Sequence, residues 1–416
     1  MPGQIAEDWC ELGLTLLDTI PPDDEIHNLR LDLLDLSGDG YYKSGKYSQA
    51  DQRYRTALNI AQEIQAKPEQ IAELCAELAD TCEGEGRIDE VNEFVERGQR
   101  ILQEHAETIA YSEIHVKLDW MYGVILWRKG EPKTVAEFLP KLITDAESLP
   151  QTVTLQYIIA RIHNLFGSVL SGLCDYDAAI IHFQKAIKQL NEIGEKGLAA
   201  GYSVNLANTF KKIGRFDEGL RLVSEAFEIS SQIGDFDDML YAKVMKGELL
   251  LYWGNISGAL QELEDIKRIL EQNHLDEWWY ISNIYINLAL AYLLSTDLEN
   301  ASRYVKRGLA EAEKFGAAED IAYAHDAFGQ VETVEKHWEA AAQHFTQAIA
   351  IYEQMGYLRS IARCQYHFAE ALLQQDKAEE TEALLHKALK TFQDLKIEYE
   401  IVKVQELFTK AKKEEC

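Results

Sequence analysis

The chain has 416 residues, of which 47% are hydrophobic, and its formal net charge is −29. This charge disfavours a nucleic-acid partner, because binding to phosphates needs a concentrated basic surface. No apolar run approaches the roughly 18 residues of a membrane span, and no signal peptide opens the chain. Six scattered cysteines without a Cys-x2-Cys pair are typical of a reducing compartment. We therefore expect a cytoplasmic protein with no nucleic-acid or membrane partner.

The first predicted element is an amphipathic helix over residues 5–20. Ala6 and Cys10 repeat, at its start, a pairing of small and bulkier residues that recurs along the chain. We assign residues 1–26 to an N-terminal capping helix, half of a repeat, whose apolar face covers the helices that follow. An amino end cut from a larger protein is the alternative. The apolar face consists of Ile5, Trp9, Leu12, Leu16 and Ile20.

Residues 27–395 repeat one helix-pair pattern nine times. A small residue opens each second helix, and a bulky apolar residue often follows four positions later. Another small residue, such as Gly167, lies twelve positions before the opener, within the first helix. Successive openers are 40 to 44 residues apart. Such self-similarity predicts a solenoid of stacked helix pairs. The clearest copies are Ala50/Tyr54, Ala179/Phe183, Ala259/Leu263 and Ala341/Phe345.

Each repeat also ends in a consistent way. Gly194, Gly234, Gly316 and Gly356 all lie fifteen residues after their opener. A helix commonly ends on a residue in the left-handed conformation, which glycine adopts without steric cost. We therefore expect each of these glycines to end a second helix.

The last predicted element, over residues 396–416, is a single first helix. Phe408 and Thr409 lie 40 residues after Phe368 and Ala369, so they repeat the first-helix pattern once more. We assign this segment to a C-terminal capping helix. The expected fold is thus an all-α, right-handed superhelical solenoid of about nine helix-turn-helix repeats, with half a repeat at each end.

This pattern resembles the tetratricopeptide repeat, in which apolar-Gly-x2-Tyr is followed by Ala-x3-Phe and a helix-ending residue. The period near 40 and the missing terminal proline are similar to the longer repeats of Pins-like adaptors and kinesin light chains. They are also similar to the sensor arms of bacterial STAND ATPases and to the Rap regulators. The resemblance implies binding of a protein or peptide and names no partner.

The first helices of such a solenoid line its concave surface, and counting back from their small residues traces an exposed stripe. In the first two repeats the stripe is acidic, through residues such as Asp35, Asp39 and Asp80. Beyond them it carries cations, amides and aromatic rings, which suit a peptide. The candidate binding residues are Lys117, Trp120, Trp127, Arg161, Asn164, Asn205, Asn208, Lys211, Lys212, Tyr241 and Asn283.

Two alternatives remain for this stripe. Its polar residues would also suit an ordinary solvated face, and Trp120 and Trp127 would also suit packing between repeats. An aromatic cage built from Trp253 and Trp278 is disfavoured, because these residues lie at opposite ends of a helix pair, separated by roughly 20 Å.

No motif for catalysis, metal or cofactor binding stands out. Residues 40–47 nearly spell a phosphate-binding loop, but the sequence ends in Tyr47 where Ser or Thr belongs, and it lies between two helices instead of after a strand. His337 and His344 are seven apart with no third ligand nearby, so we expect surface histidines. We therefore expect no enzyme activity, no bound metal and no cofactor.

The sequence favours a protein-interaction scaffold, adaptor or sensor arm that holds a protein segment or peptide in its concave groove. One alternative is a signalling regulator that responds to a peptide by changing the pitch of its superhelix. Another is a structural subunit that self-associates through the exposed ends of the solenoid.

Overall fold

The computed structural model describes residues 2–21, 23–275 and 280–414. Over these ranges the chain forms twenty α-helices and no strand. The first ten helices are α1 Pro2–Leu17, α2 Asp24–Lys43, α3 Tyr47–Glu63, α4 Pro68–Gly84, α5 Ile88–Glu104, α6 Glu113–Arg128, α7 Pro132–Glu147, α8 Val153–Gly172, α9 Tyr176–Ile193 and α10 Lys196–Ile213. The other ten are α11 Phe216–Ile233, α12 Phe236–Trp253, α13 Ile256–Gln272, α14 Ile281–Leu294, α15 Leu298–Phe315, α16 Ala318–Val334, α17 Trp338–Met355, α18 Leu358–Leu373, α19 Ala378–Asp394 and α20 Glu398–Glu414.

The helices group into nine pairs, from α2–α3 to α18–α19, with α1 and α20 left single. The predicted all-α repeat fold with half a repeat at each end is therefore confirmed. The chain divides into two compact parts, residues 1–162 and residues 163–416, and the division falls within α8. That residues 27–395 form one right-handed solenoid capped by residues 1–26 and 396–416 stays a prediction. No helix in the described ranges is both long and apolar enough to cross a membrane.

The small residues of the first helices lie where the bulky residues of the second helices pack. A Cβ atom added to Gly167 would lie 2.9 Å from the ring of Phe183, and one added to Gly329 would lie within 2.9 Å of the ring of Phe345. Both rings are fully buried. Close approach of the two helices therefore depends on glycine at these positions, as the repeat pattern predicts.

The four glycines predicted to end second helices do so. Gly194, Gly234, Gly316 and Gly356 have φ between 66° and 90°. Gly45, in the phosphate-loop-like segment, also has a positive φ of 70° and lies in the turn between α2 and α3. That segment is therefore repeat structure, as expected.

In four repeats the first helix contacts its second helix through a side-chain pair at one fixed register, four residues before the small residue and three after the opener. The chemistry of the pair changes from repeat to repeat. Lys243 Nζ lies 3.0 Å from a carboxylate oxygen of Glu262. In two other repeats a histidine pair takes this place, with 2.9 Å between Nδ1 atoms. These pairs are His163/His182 and His325/His344.

The packing face predicted for α1 is wrong. Among the side chains of α1 that the structure describes, from residue 9 onward, Cys10, Leu14 and Leu17 are buried, and a Cβ atom added to Gly13 would lie 2.9 Å from Leu33 of α2. Ile5 of the predicted face lies outside the described side chains. The expected covering residues lie on the opposite side, where Trp9 is 67% exposed and Leu16 is 56% exposed. Apolar spacing alone marks an apolar stripe but does not say which of two stripes packs on the neighbour.

Candidate ligand-binding surface

In residues 1–162 the predicted stripe forms a buried ionic cluster around Asp80. Arg161 donates hydrogen bonds of 2.7 Å and 2.8 Å to the two carboxylate oxygens of Asp80. Tyr42 donates another of 3.0 Å. Lys117 pairs with Glu77 at 2.6 Å and lies 3.6 Å from Asp80. One side chain from each of the first helices α2, α4, α6 and α8 thus meets at Asp80.

The electrostatics of this cluster differ from the sequence expectation. Burial would raise the pKa of Asp80, but Arg161 and Lys117 outweigh it and hold that pKa below its usual range. Burial would lower the pKa of Lys117, but Glu77 and Asp80 raise it above the usual range. The acidic stripe of the early repeats and the basic stripe of the next repeats therefore neutralise each other.

The two tryptophans of the stripe have different surroundings. Trp120 is buried, and the Arg161 guanidinium carbon lies 3.9 Å from the centre of its ring. Trp127 is half-buried. Trp120 thus packs between α6 and α8, which agrees with the packing alternative raised for it. Trp278, of the disfavoured aromatic cage, lies outside the described residues.

In residues 163–416, a row of amides links successive first helices. Asn205 Nδ2 donates to Asn164 Oδ1 at 3.1 Å, and the Tyr241 hydroxyl donates to Asn205 Oδ1 at 3.2 Å. Asn208 lies one turn further along α10 and is half-buried. The candidate amides of α8 and α10 and Tyr241 of α12 therefore share one face, and we call this face of the first helices the inner wall.

A second row on the inner wall centres on the buried carboxylate of Glu248. Lys211 forms an ion pair with it, and Asn287 Nδ2 and the Tyr280 hydroxyl donate to it at 2.9 Å and 3.2 Å. Tyr323 donates in turn to Asn287 Oδ1 at 2.8 Å. One network therefore connects α10, α12, α14 and α16.

Three of the predicted site residues are less accessible than the sequence suggested. Lys211 is only 8% exposed and is paired with Glu248, so its replacement would disturb a buried contact as well as a binding surface. Lys212 is half-buried, and burial lowers its pKa. Asn283 is buried and hydrogen-bonded to Asp320. The repeat register locates the inner wall correctly but does not reveal which of its side chains already have partners.

Two arginines of α18 reach the inner wall from a distant part of the chain. Arg359 Nε donates to the Lys212 carbonyl oxygen at 3.0 Å, and its other end contacts Tyr399 and Glu400 at 2.6 Å and 2.9 Å. Arg363 hydrogen-bonds the Tyr252 hydroxyl. Within residues 163–416, α18 therefore lies against α10 and α12, which are separated from it by 147 and 111 residues at these contacts.

Sequence reasoning missed these arginines, although a signal for one of them exists. Arg363 lies six residues before the small residue Ala369, which is the register of Lys117 and Arg161 in their own repeats. The same count therefore places Arg363 on the inner wall. Arg359 lies one turn earlier and has no counterpart in the stripe.

A groove of about 360 Å³ lies elsewhere, between α9, α10 and α11, and none of the predicted site residues lines it. Glu332, Glu335 and His337 bring three ligand atoms within 4.8 Å of one another. They lie at the surface beside the α16–α17 turn, where the histidine ring is 2.7 Å and 3.5 Å from the two carboxylates. Ordinary hydrogen bonding accounts for this cluster. His344, in contrast, pairs with His325.

No protein-family model matches the sequence, and no curated protein matches it. Solved structures do resemble it. A Rap protein complexed with Competence and Sporulation Factor has a TM-score of 0.58 at 15% identity, and the match covers 82% of this chain and 98% of the Rap chain. The Rap conjugation gene regulator of the plasmid pLS20, in complex with the Phr* peptide, has a TM-score of 0.59 at 14% identity and covers 88% and 96%.

A third similar structure is a monomeric mutant of IFIT1 with m7Gppp-AAAA. Its TM-score is 0.50 at 12% identity, and the match covers 86% of this chain and 77% of the IFIT1 chain. These matches cover most of the chain, and at sequence identities of 12% to 15% they bear on the fold alone. Together with the nine helix pairs and their buried small residues, they show that the chain has an all-α helical-repeat solenoid fold, which it shares with these structures.

Proposed function

We propose that the chain is a non-catalytic, cytoplasmic interaction protein that binds a protein segment or peptide along the inner wall. It would serve as an adaptor or as the sensor arm of a signalling protein, and no cofactor or metal takes part. The observation that carries this proposal is the row of amides on α8 and α10, formed by Asn164, Asn205 and Asn208, with Tyr241 of α12 beside them.

An amide row suits an extended or helical segment because each side-chain amide offers two donors and an acceptor with two lone pairs. The side-chain hydrogen bonds of Asn205 with Asn164 and Tyr241 use one donor and one lone pair, so its amide retains capacity for a peptide main chain. Side chains of the segment would find Tyr241 and Lys212 nearby as an aromatic and a basic contact.

The two Rap structures support this proposal, because one was solved in complex with the Phr* peptide and the other with Competence and Sporulation Factor. IFIT1 was solved with a capped oligonucleotide. A nucleic-acid ligand is disfavoured for this chain by its net charge of −29 and by the neutralisation of Lys117, Arg161 and Lys211 by acidic partners.

Affinity capture from the native lysate, followed by mass spectrometry of cross-linked peptides, tests the proposal. The captured segment is then synthesised, and its binding is measured by surface plasmon resonance. Asn208→Ala is expected to raise the dissociation rate about ten-fold, as loss of a buried hydrogen bond predicts. Gln347→Ala, at an exposed site on the second helix α17, is the matched control. Equal kinetics for both variants would place the binding site off the inner wall.

A peptide-responsive regulator is the second candidate, and the arginines of α18 favour it. A segment lying along α10 and α12 would meet Arg359 and Arg363, which now contact the Lys212 carbonyl and the Tyr252 hydroxyl. Binding would then exchange these contacts for contacts with the ligand and move α18 relative to α10. Small-angle scattering with and without the captured segment is expected to show a changed radius of gyration. An unchanged radius of gyration would argue against the regulator and in favour of a simple adaptor.

A further inference from the structure

An apolar slot lies at the end of residues 1–162 where α1 packs on α2. Trp9, Leu12 and Leu16 of α1 are 67%, 49% and 56% exposed, and Leu36 of α2 is 57% exposed. Isolated exposed apolar residues are common, but several large ones on two adjoining helices mark an interaction surface.

The repeat register shows what kind of element fits this slot. Trp9 lies three residues after the opener Ala6, and the equivalent residues elsewhere contact the first helix of their own repeat. Phe138 meets Tyr122 with 6.1 Å between ring centres, and His182 meets Phe166 at 4.4 Å. Trp9 does not pack in this way against the described residues, and its side chain is 67% exposed.

Leu36 of α2 lines the same slot, on the side opposite Trp9 of α1. It lies two residues before the small residue Gly38 of α2. Residues of this register in later repeats face the first helix of the preceding repeat, as the Asn205–Asn164 hydrogen bond shows. Two of its apolar counterparts, Met121 and Met245, are fully buried. The slot between Trp9 and Leu36 therefore has the form that one α-helix occupies elsewhere in the repeats.

Leu12 adds a signal from the sequence. It lies six residues after the opener, and the nine equivalent residues of the other second helices are all polar or charged. Leucine at this register extends the apolar stripe of α1 beyond the area that a first helix normally covers. The equivalent residues are Thr56, Arg97, Lys141, Lys185, Glu225, Asp265, Arg307, Gln347 and Lys387.

The surroundings of the slot are acidic. Asp32, Asp35 and Asp39 line α2 on either side of Leu36, and Glu73 follows on α4. Asp35 and Asp32 make no ion pair with any described residue, and the buried Oδ1 atom of Asp35 has no hydrogen-bond partner among them. Burial, together with the neighbouring Asp39, Glu77 and Glu73, raises the pKa of Asp35 to about 7. Cationic side chains on an incoming helix would relieve this repulsion.

We propose that the slot formed by Trp9, Leu12, Leu16 and Leu36 docks a basic amphipathic α-helix of a partner protein. The helix occupies the place of a first helix, its apolar stripe lies on these four side chains, and its Lys or Arg residues face Asp32 and Asp35. A second copy of this chain is less suited to the slot, because residues 1–100 carry 22 acidic residues against 9 basic ones and two such surfaces repel each other.

Three synthetic peptides of about 16 residues, the length of α1, test the proposal on the full chain by fluorescence anisotropy. The first has a leucine stripe flanked by lysines, the second has the same stripe flanked by glutamates, and the third is a scrambled lysine peptide without a stripe. The first peptide is expected to bind about ten-fold or more tightly than either of the others.

Variants of the protein locate the binding. Leu16→Gln and Leu36→Gln should each weaken the lysine-stripe peptide about ten-fold, and Asp35→Asn should reduce its advantage over the glutamate peptide. Val402→Gln, Leu294→Gln and the inner-wall variant Asn208→Ala are controls that should change nothing, so failure here is distinct from failure of the inner-wall proposal.

The proposal would be overturned if the three peptides bound equally well. It would also be overturned if Leu16→Gln and Leu36→Gln left the affinity of the lysine-stripe peptide unchanged. Sedimentation velocity provides the remaining outcome. A dimer that forms without peptide and disappears in Leu16→Gln would assign the slot to a second copy and would equally overturn it.

Discussion

At the scale of single residues, the structure is governed by small side chains and by buried charges that have partners. Gly167 and Gly329 let phenylalanine rings approach a helix backbone. Asp80 holds Arg161 from two repeats further along the chain, and Glu248 holds Lys211 from the preceding repeat. A buried charge left without its partner is costly, so single substitutions at either kind of position should be felt strongly.

Two glycines of α8 allow a matched test of the first point. Gly167→Ala should destabilise the protein by about 1–3 kcal/mol, because its Cβ atom would lie 2.9 Å from the buried ring of Phe183. Gly172→Ala meets its first neighbour at 3.5 Å, an ordinary contact, and should be neutral or slightly stabilising. Urea denaturation of both variants measures the difference. Equal stabilities would show that helix spacing does not depend on Gly167.

The ion pair of Lys211 and Glu248 tests the second point. Lys211→Glu should cost about 3–5 kcal/mol of unfolding free energy, because two carboxylates would then share a buried site. The exchange Lys211→Glu with Glu248→Lys should recover much of that loss. Lys387→Glu, on an exposed face of α19, should stay within about 0.5 kcal/mol. Destabilisation of the double variant equal to the sum of the two single effects would argue against a direct pair.

At the scale of helices, a side-chain pair at a fixed register joins the two helices of a repeat in four of the repeats. In two repeats this side-chain pair consists of two histidines, His163/His182 and His325/His344, whose rings can take up protons. Burial lowers the pKa of His163 to about 3, with the neighbouring His182 contributing. Burial also lowers the pKa of His182 and that of His325 to about 4. The folded protein therefore holds these rings neutral.

These pairs predict a loss of stability in mild acid. Below the ordinary histidine pKa of about 6.5 the unfolded chain takes up protons that the folded chain refuses. The free energy of unfolding should therefore fall as the pH drops from about 7 towards 4. The double variant His182→Gln with His344→Gln should show a shallower fall. Comparing the two proteins at each pH cancels groups such as Asp35 and Asp238, whose raised pKa values near 7 act in the opposite direction.

The helices themselves were predictable, and the contacts between them only partly so. The spacing of Ala50, Ala179 and their counterparts predicts every helix pair, because close helix crossings demand small residues at fixed intervals. The packing side of α1 was not predictable, since its sequence contains two apolar stripes and only the three-dimensional position of α2 selects between them.

For the candidate site too, the sequence predicted the positions of residues better than the contacts between them. Register alone places Asn164, Asn205 and Lys211 on one face, because the repeats are regular. It does not give the distance between repeats that are far apart in sequence, so the approach of Arg359 to α10 could not be inferred. It also does not show that Lys211 is neutralised by Glu248, because that pairing joins two different repeats.

At the scale of the whole chain, the contacts of α18 set residues 163–416 apart from an array in which only neighbours touch. Arg359 joins α18 to α20 through Glu400 and to α10 through the Lys212 carbonyl. A purely nearest-neighbour solenoid would transmit damage only to adjacent repeats. This fold should transmit it further.

Hydrogen exchange measures that coupling. Arg359→Gln should lower amide protection in α20, its neighbour, and also in α10, which is about 150 residues away in sequence. Arg221→Gln, at an exposed position of α11, is the control and should leave both helices unchanged. Loss of protection confined to α18 and its sequence neighbours would mean that the contact with Lys212 contributes nothing.

Site-specific photo-cross-linking in the native lysate tests the central claim, binding of a protein segment along the inner wall, most directly. A diazirine amino acid is placed at Asn208 of the inner wall in one protein and at Gln347 of the exposed second helix α17 in another. We predict that the probe at Asn208 captures one defined segment of a partner and that the probe at Gln347 captures none. Capture of the same segment at Gln347 alone, or no defined segment at Asn208, would contradict the account.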